Sequence, residues 1–229
     1  TYTATFRFGS SYFTVKDSKD TTVTDIVPAA DIASNIITTR TSGLTVARAS
    51  SPETRTVVKG SVVDSLGMIF TAGSGAGNDV KVNSINLKAY IDDDTSGYFA
   101  TNTMGTVDAN EVITSAQLFA DGVAISSVAS PDTSGNITFD SNKINGGFYT
   151  IPAGQSKTII AKVTVSGNAP YGGTDDRYAL TLKASDISAQ DPTGSSITAT
   201  VTGDDVNGTT APSVYVQVTG TGSLTSSAD

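Results

Sequence analysis

The sequence predicts an all-β protein: an antiparallel β-sandwich, immunoglobulin-like or jelly-roll-like. Three observations predict it. Short runs of alternating apolar and polar residues fill nearly the whole chain, each closed by Gly, Asn, Asp or Pro. Thr and Ser make up roughly a quarter of the residues, and the branched Thr side chain fits a pleated surface. No stretch sustains a helical period. A length of 229 residues suffices for one large β domain or two small ones.

The elements follow in order. In residues 1–8, Tyr2, Ala4, Phe6 and Phe8 point one way, and Thr1, Thr3, Thr5 and Arg7 the other. With neither initiator Met nor leader ahead of it, this end reads as made by processing. Strand patterns continue at 12–15 and 21–27, and 29–35 is expected to form a short helical turn. Further strands are expected at 36–40, 43–49, 54–59 and 66–72, the last presenting Leu66, Met68, Phe70 and Ala72 on one face.

The longest run is 79–91. Val80 and Val82 share one parity; Ile85, Leu87, Ala89 and Ile91 share the other. The switch at Asn83-Ser84 predicts a β-bulge or a crossing between sheets. Asp121-Gly122, between 112–120 and 123–125, carries a type I′ hairpin signal. Strands at 137–139, 148–151, 157–165, 178–184, 197–201 and 214–218 complete the pattern. The expected division is an N-terminal strand segment 1–15, a sandwich 16–218 and a flexible tail 219–229, with the sandwich in one piece or two subdomains.

Composition narrows function. The chain has no Cys, hence no disulfide framework, thiolate nucleophile or cysteine metal site. It has no His, which removes the commonest general base and makes a Ser-His-Asp triad impossible. It has no Trp to stack on a sugar. A net charge of −8 argues against nucleic acid and anionic membranes. No apolar run is long enough for a transmembrane helix. The expectation is a non-enzyme with no small-molecule substrate.

Two phrases carry a family resemblance: Gln117-Leu118-Phe119-Ala120-Asp121-Gly122, and the run from Phe148 through Ile151-Pro152-Ala153-Gly154-Gln155 to Ile159. Over roughly residues 43–202 the chain resembles immunoglobulin-like modules of prokaryotic cell-surface, surface-layer and extracellular filament proteins. The resemblance implies an exported structural module and brings no catalytic residues with it.

The sharpest local motif is Asp92-Asp93-Asp94-Thr95-Ser96-Gly97, the first half of a calcium-loop pattern. Asp92, Asp94 and Ser96 would offer oxygens, and Tyr98 its carbonyl. The twelfth position is Thr103 rather than Glu, so Asp108 or Glu111 would have to complete the shell. The alternative is a solvated acidic loop. Asp205, Asn207 and Gly208, and the pair Asp175 and Asp176, are shorter versions equally explained by turn chemistry. Asn136-Ile137-Thr138 and Asn207-Gly208-Thr209 satisfy the N-glycosylation pattern. Lys88 and Lys157 are candidates for a Lys–Asn isopeptide link with no partner named by the sequence. Glu53, Arg55 and Lys59 read as a solvent face.

The functional expectation is a subunit of an extracellular filament, pilus-like, or of a surface array. It would be a head-to-tail homopolymer in which Tyr2, Ala4, Phe6 and Phe8 add a strand to the next copy. The alternative is an adhesin or carbohydrate-binding module using Tyr98, Phe99 and Tyr171. Both place the protein outside the cell or on its surface.

Overall fold

The computed structural model describes residues 2–8, 14–24, 32–39, 43–73, 79–92, 103–104, 107–170, 177–202, 212 and 214–220. The chain divides into two units, Thr1–Thr41 and Ser42–Asp229.

In the first unit, β1 (Tyr2–Ala4), β2 (Arg7–Phe8), β3 (Ile32–Ala33) and β4 (Ile37–Thr39) form two short antiparallel ribbons. Tyr2 faces Thr39 and Ala4 faces Ile37, while Arg7 faces Ala33 and Phe8 faces Ile32. Between the two pairings, residues 34–36 oppose only Thr5 and Phe6, so the second strand carries an extra residue. Ser34 bridges the slip: its N–H donates to the Phe6 carbonyl at 2.7 Å, and its hydroxyl accepts the Phe6 N–H at 3.0 Å. The helical turn expected at 29–35 is therefore corrected where it is described. Ile32 and Ala33 are extended because Phe8 and Arg7 offer them ladder partners, and a β-branched Ile suits that setting. Of the segment expected at 1–15, residues 2–8 pair with 32–39, and none of the first unit's described side chains is buried.

The second unit is a sandwich of two sheets. Its strands are β5 (Leu44–Arg48), β6 (Arg55–Val58), β7 (Val62–Ala72), β8 (Val80–Asp92), β9 (Thr103–Met104), β10 (Val107–Asp108), β11 (Ile113–Ala120) and β12 (Val123–Ala124). Then come β13 (Asn136–Phe139), β14 (Tyr149–Ile151), β15 (Ser156–Val165), β16 (Arg177–Thr181), β17 (Ile187–Gln190), β18 (Ser196–Ile197), β19 (Ala199–Thr202) and β20 (Val216–Thr219). A single helical turn, α1 (Ala109–Val112), precedes β11. Sheet one runs β12-β11-β15-β7-β5-β19. Sheet two is centred on β8, with β13 and β14 along one edge and β16 and β17 along the other. The pairs β5–β19 and β6–β20 are parallel, so the sheets are mixed rather than purely antiparallel.

The core lies between the sheets. Leu66, Met68, Phe70 and Ala72 of β7 are buried, as their alternation predicts, against Val80, Val82, Ile85 and Leu87 of β8. The parity switch in β8 is a bulge: Ser188 pairs with Ser84 but Ala189 with Val82, leaving Asn83 extra. A matching bulge at Ser65 in β7 lets Val63 and Leu66 both point inward. Asp121 (φ 51°) and Gly122 (φ 78°) form the two-residue turn joining β11 to β12, as type I′ requires. At Gly67 a Cβ would meet the Ser51 carbonyl oxygen at 2.1 Å, so only glycine lets that segment lie against β7.

Candidate functional site

Asp92 is the last residue of β8 and faces Arg177, the first of β16. Its side chain is fully buried, and that of Arg177 is 16% exposed. Arg177 donates to Asp92 Oδ2 from Nε at 3.1 Å and also from Nη2. The guanidinium lies 4.9 Å from the Tyr215 ring centre, within cation–π range. Burial works against the Arg177 charge, but the hydrogen bond to Asp92 and the contacts with Tyr215 outweigh it, so its proton is held more tightly than usual. Ile91, Val107, Val112 and Val218 line the pocket around the pair, and such apolar walls strengthen the attraction. The first carboxylate of the calcium-loop motif thus serves an ion pair between neighbouring strands.

The other calcium candidates divide. Asp94, Ser96 and Tyr98 lie outside the described residues. Glu111 accepts the Asp108 backbone N–H at 2.8 Å, so this carboxylate caps α1. The spacing Asp108-x-x-Glu111 is a capping-box signature that could have announced this role. Among the described residues, no three acidic side chains gather in a metal-binding group.

A recurrent turn explains several acidic residues. Asp132 Oδ1 accepts the N–H groups of Ser134 and Asn136 at 2.7 and 2.8 Å. Asp191 Oδ1 accepts those of Thr193 and Ser195, both at 2.9 Å. Asp17 Oδ1 accepts those of Lys19 and Thr21 at 2.8 and 2.9 Å. In each turn the fourth residue has positive φ: Gly135 78°, Gly194 90°, Asp20 65°. The sequence Asp-Thr-Ser-Gly at 132–135 occurs again at 94–97. At 132 its carboxylate is engaged by backbone N–H groups, a pattern common to Asx turns.

Asn136 stands in β13 directly opposite Lys88 of β8. Lys88 Nζ donates to Asn136 Oδ1 at 3.3 Å and to the Ser134 carbonyl. Asn136 Nδ2 donates to Asp132 Oδ2 at 2.8 Å. The amide named as a glycosylation acceptor is thus held inside the sandwich's own ladder; Asn207 lies outside the described residues. Lys157, the other isopeptide candidate, forms an ion pair with Asp121 at 2.9 Å. Arg55 Nε donates to the Glu53 carbonyl at 3.3 Å, consistent with an exposed face. Tyr171, Phe99, Asp175, Asp176 and Asp205 lie outside the described residues.

Between β5, β7 and β16 a cavity of about 30 Å³ is lined by Val46, Leu66, Met68, Leu180 and Thr181. It has room for a water or two. The buried Thr181 hydroxyl has no hydrogen-bond partner among the described residues.

Large apolar side chains are exposed in the first unit at Ile36 (71%), Phe6 (66%), Phe8 (57%) and Ile32 (56%), and in the sandwich at Val123 (66%) and Val62 (62%). Phe6 and Phe8 share one strand face, and Ile32 is the cross-strand neighbour of Phe8. Ala4 is exposed too, and Tyr2 pairs with Thr39. Ile32 falls in the helical turn expected at 29–35, whereas Ile36 begins the strand expected at 36–40, and neither pattern marks its residue as a surface one.

No family model and no curated protein matches the chain. Two solved structures align at low similarity. A chain of the type I cohesin–dockerin complex from Clostridium thermocellum aligns over 81% of this chain and 99% of its own length, at 13% identity and a TM-score of 0.29. The second type II cohesin module of the cellulosomal adaptor scaffoldin of Acetivibrio cellulolyticus aligns over 70% and 92%, at 11% identity and a TM-score of 0.28. Scores at this level do not establish a shared topology, so the β-sandwich stands on the chain's own strands and register.

Proposed function

We propose that this chain is a structural module of an extracellular or cell-surface assembly, a head-to-tail homopolymer whose contact is made by residues 1–41, and that it is not an enzyme. The observation that carries this reading is the exposed apolar ribbon around Phe6, Phe8, Ile32 and Ile36. Charge supports a contact through this unit. Residues 1–41 hold four basic and four acidic side chains, so the whole net charge of −8 falls on residues 42–229. Two sandwiches repel each other; a neutral ribbon meets no such barrier.

The ladder changes how strand addition would work. Each strand of the ribbon already has a partner within the unit. Among the described residues each ribbon strand has one partner, so a second copy would meet the ribbon through a strand edge and the exposed apolar side chains. Phe6, Phe8 and Ile32, at roughly 1.5–3 kcal/mol each on full burial, come within range of the estimated 4–15 kcal/mol cost of association. Phe6 and Phe8 alone, at about 3–6 kcal/mol, reach only its lower end.

The test is sizing and negative-stain microscopy of the wild type beside Phe6→Ser/Phe8→Ser. Polymers in the wild type and folded monomers in the variant are expected. A wild type that stays monomeric at high concentration, or a variant that polymerises unchanged, overturns the proposal.

A further inference from the structure

We propose that Lys88 and Asn136 join in an intramolecular isopeptide bond, with Asp132 carrying the proton. The inference rests on how three side chains from β8, β13 and the turn before β13 meet. The register sets Lys88 directly across from Asn136. The Lys88 head is anchored by the Ser134 carbonyl and lies 3.3 Å from Asn136 Oδ1, so the amine sits on the carbonyl side of the amide. The nitrogen side is held 2.8 Å from Asp132 Oδ2. Asp132 cannot easily turn away, because its other oxygen accepts two backbone N–H groups of the same turn. Amine, amide and carboxylate are therefore ordered around one carbon. The carbon to be attacked lies one bond beyond that oxygen, and an amine kept beside its target reacts as if at very high local concentration.

The step balances without an oxidant or a co-reactant. Neutral Lys88 Nζ attacks Cγ of Asn136, and a new C–N bond forms. Its surplus proton passes to the Asp132 carboxylate and from there to Nδ2. The Cγ–Nδ2 bond then breaks and ammonia leaves. Asp132 acts first as base and then as acid, ending as it began. An ammonium has no lone pair with which to attack, so mild alkali accelerates the reaction. Lys157 lacks this setting, because a carboxylate and not an amide meets its amine.

The bond suits this fold. Among the described residues, β13 pairs with β8 alone. A covalent tie between residues 48 positions apart would hold it to the central strand, as a disulfide would in a chain with cysteines.

The test is intact mass after prolonged incubation of the whole chain at mildly alkaline pH. The expected result is a mass lower than the sequence by one ammonia, with a branched peptide joining Lys88 to Asn136. Lys88→Arg and Asn136→Ala should each keep full mass, and Asp132→Asn, which preserves an acceptor for the turn, should react many-fold more slowly. Cooperative melting of each variant confirms that it folds. Full mass in the wild type overturns the proposal. So does an ammonia loss that persists in Lys88→Arg, since cyclisation of an asparagine on its own backbone gives the same mass change.

Discussion

The two units use the same strand pattern to opposite ends. In β7, alternation places Met68 and Phe70 in a core where neither is more than 2% exposed. In β2 and its flank, the same alternation leaves Phe6 and Phe8 on the surface. What differs is the number of layers. β7 lies between β5 and β15 and faces a second sheet, whereas among the described residues each strand of the first unit pairs with one partner. A two-stranded ribbon is marginal by itself. Periodicity therefore reveals which residues share a face but not which molecule covers it.

That contrast can be broken by substitution, beginning with the largest effect. Phe70→Ala should cost about 3–5 kcal/mol through lost burial and a cavity. Gly67→Ala should be comparably severe, because its new methyl meets backbone rather than a flexible side chain. Phe6→Ser should leave the main denaturant transition within about 0.5 kcal/mol, as surface substitutions do. Chemical denaturation of the three variants checks the ordering. A Phe6→Ser loss as large as that of Phe70→Ala would mean that the ribbon belongs to the same core.

A second, smaller effect separates ion pairing from metal binding. Asp92→Ala takes from Arg177 its carboxylate partner in a pocket with apolar walls and should cost about 3 kcal/mol. Calcium bears on the same residue from the other direction. If Asp92, Asp94 and Ser96 held calcium, chelation would lower the wild-type melting midpoint and leave Asp94→Ala unmoved. With Asp92 given to Arg177 and Glu111 to the cap of α1, we expect no shift on chelation. A calcium-dependent rise lost in Asp94→Ala would restore the metal reading.

Local chemistry was legible in the sequence and distant pairing was not. The bulge at Asn83 and the turn at Asp121-Gly122 are written in a few neighbouring residues, and both stand where expected. The parallel pairs β5–β19 and β6–β20 depend on residues far apart in the chain, and no local pattern encodes them. β17 escaped notice because only Ile187 and Ala189 mark it as apolar. The same limit governed the sites. Lys88 could be named as a reactive candidate, but Asn136 and Asp132 become its neighbours only through the β8–β13 register. Arg177 was visible as a charge beside Asp175 and Asp176, yet its partner is Asp92, across a ladder.

The smallest effect lies in the recurrent aspartate turns, found in both units, and it has a definite sign in pH. Hydrogen bonds from Thr193 and the Ser195 backbone hold the Asp191 carboxyl below its ordinary value of 3.8. At Asp132 slight burial pulls the other way, but the bonds from Asn136 and Ser134 and the charge of Lys88 overcome it, and that carboxyl also titrates low. A carboxyl with a lowered folded-state pKa binds fewer protons folded than unfolded between the two values. Its contribution is therefore complete above the unfolded value and disappears as pH falls through the folded one. Asp132→Ala and Asp191→Ala should lower the urea midpoint at neutral pH, each modestly because both groups face solvent. The gap from wild type should narrow as the pH drops below 3.8. Urea titrations at neutral and acid pH measure it. A gap that stays constant with pH would show that the turns act through their backbone shape, and that the carboxylate charge adds nothing.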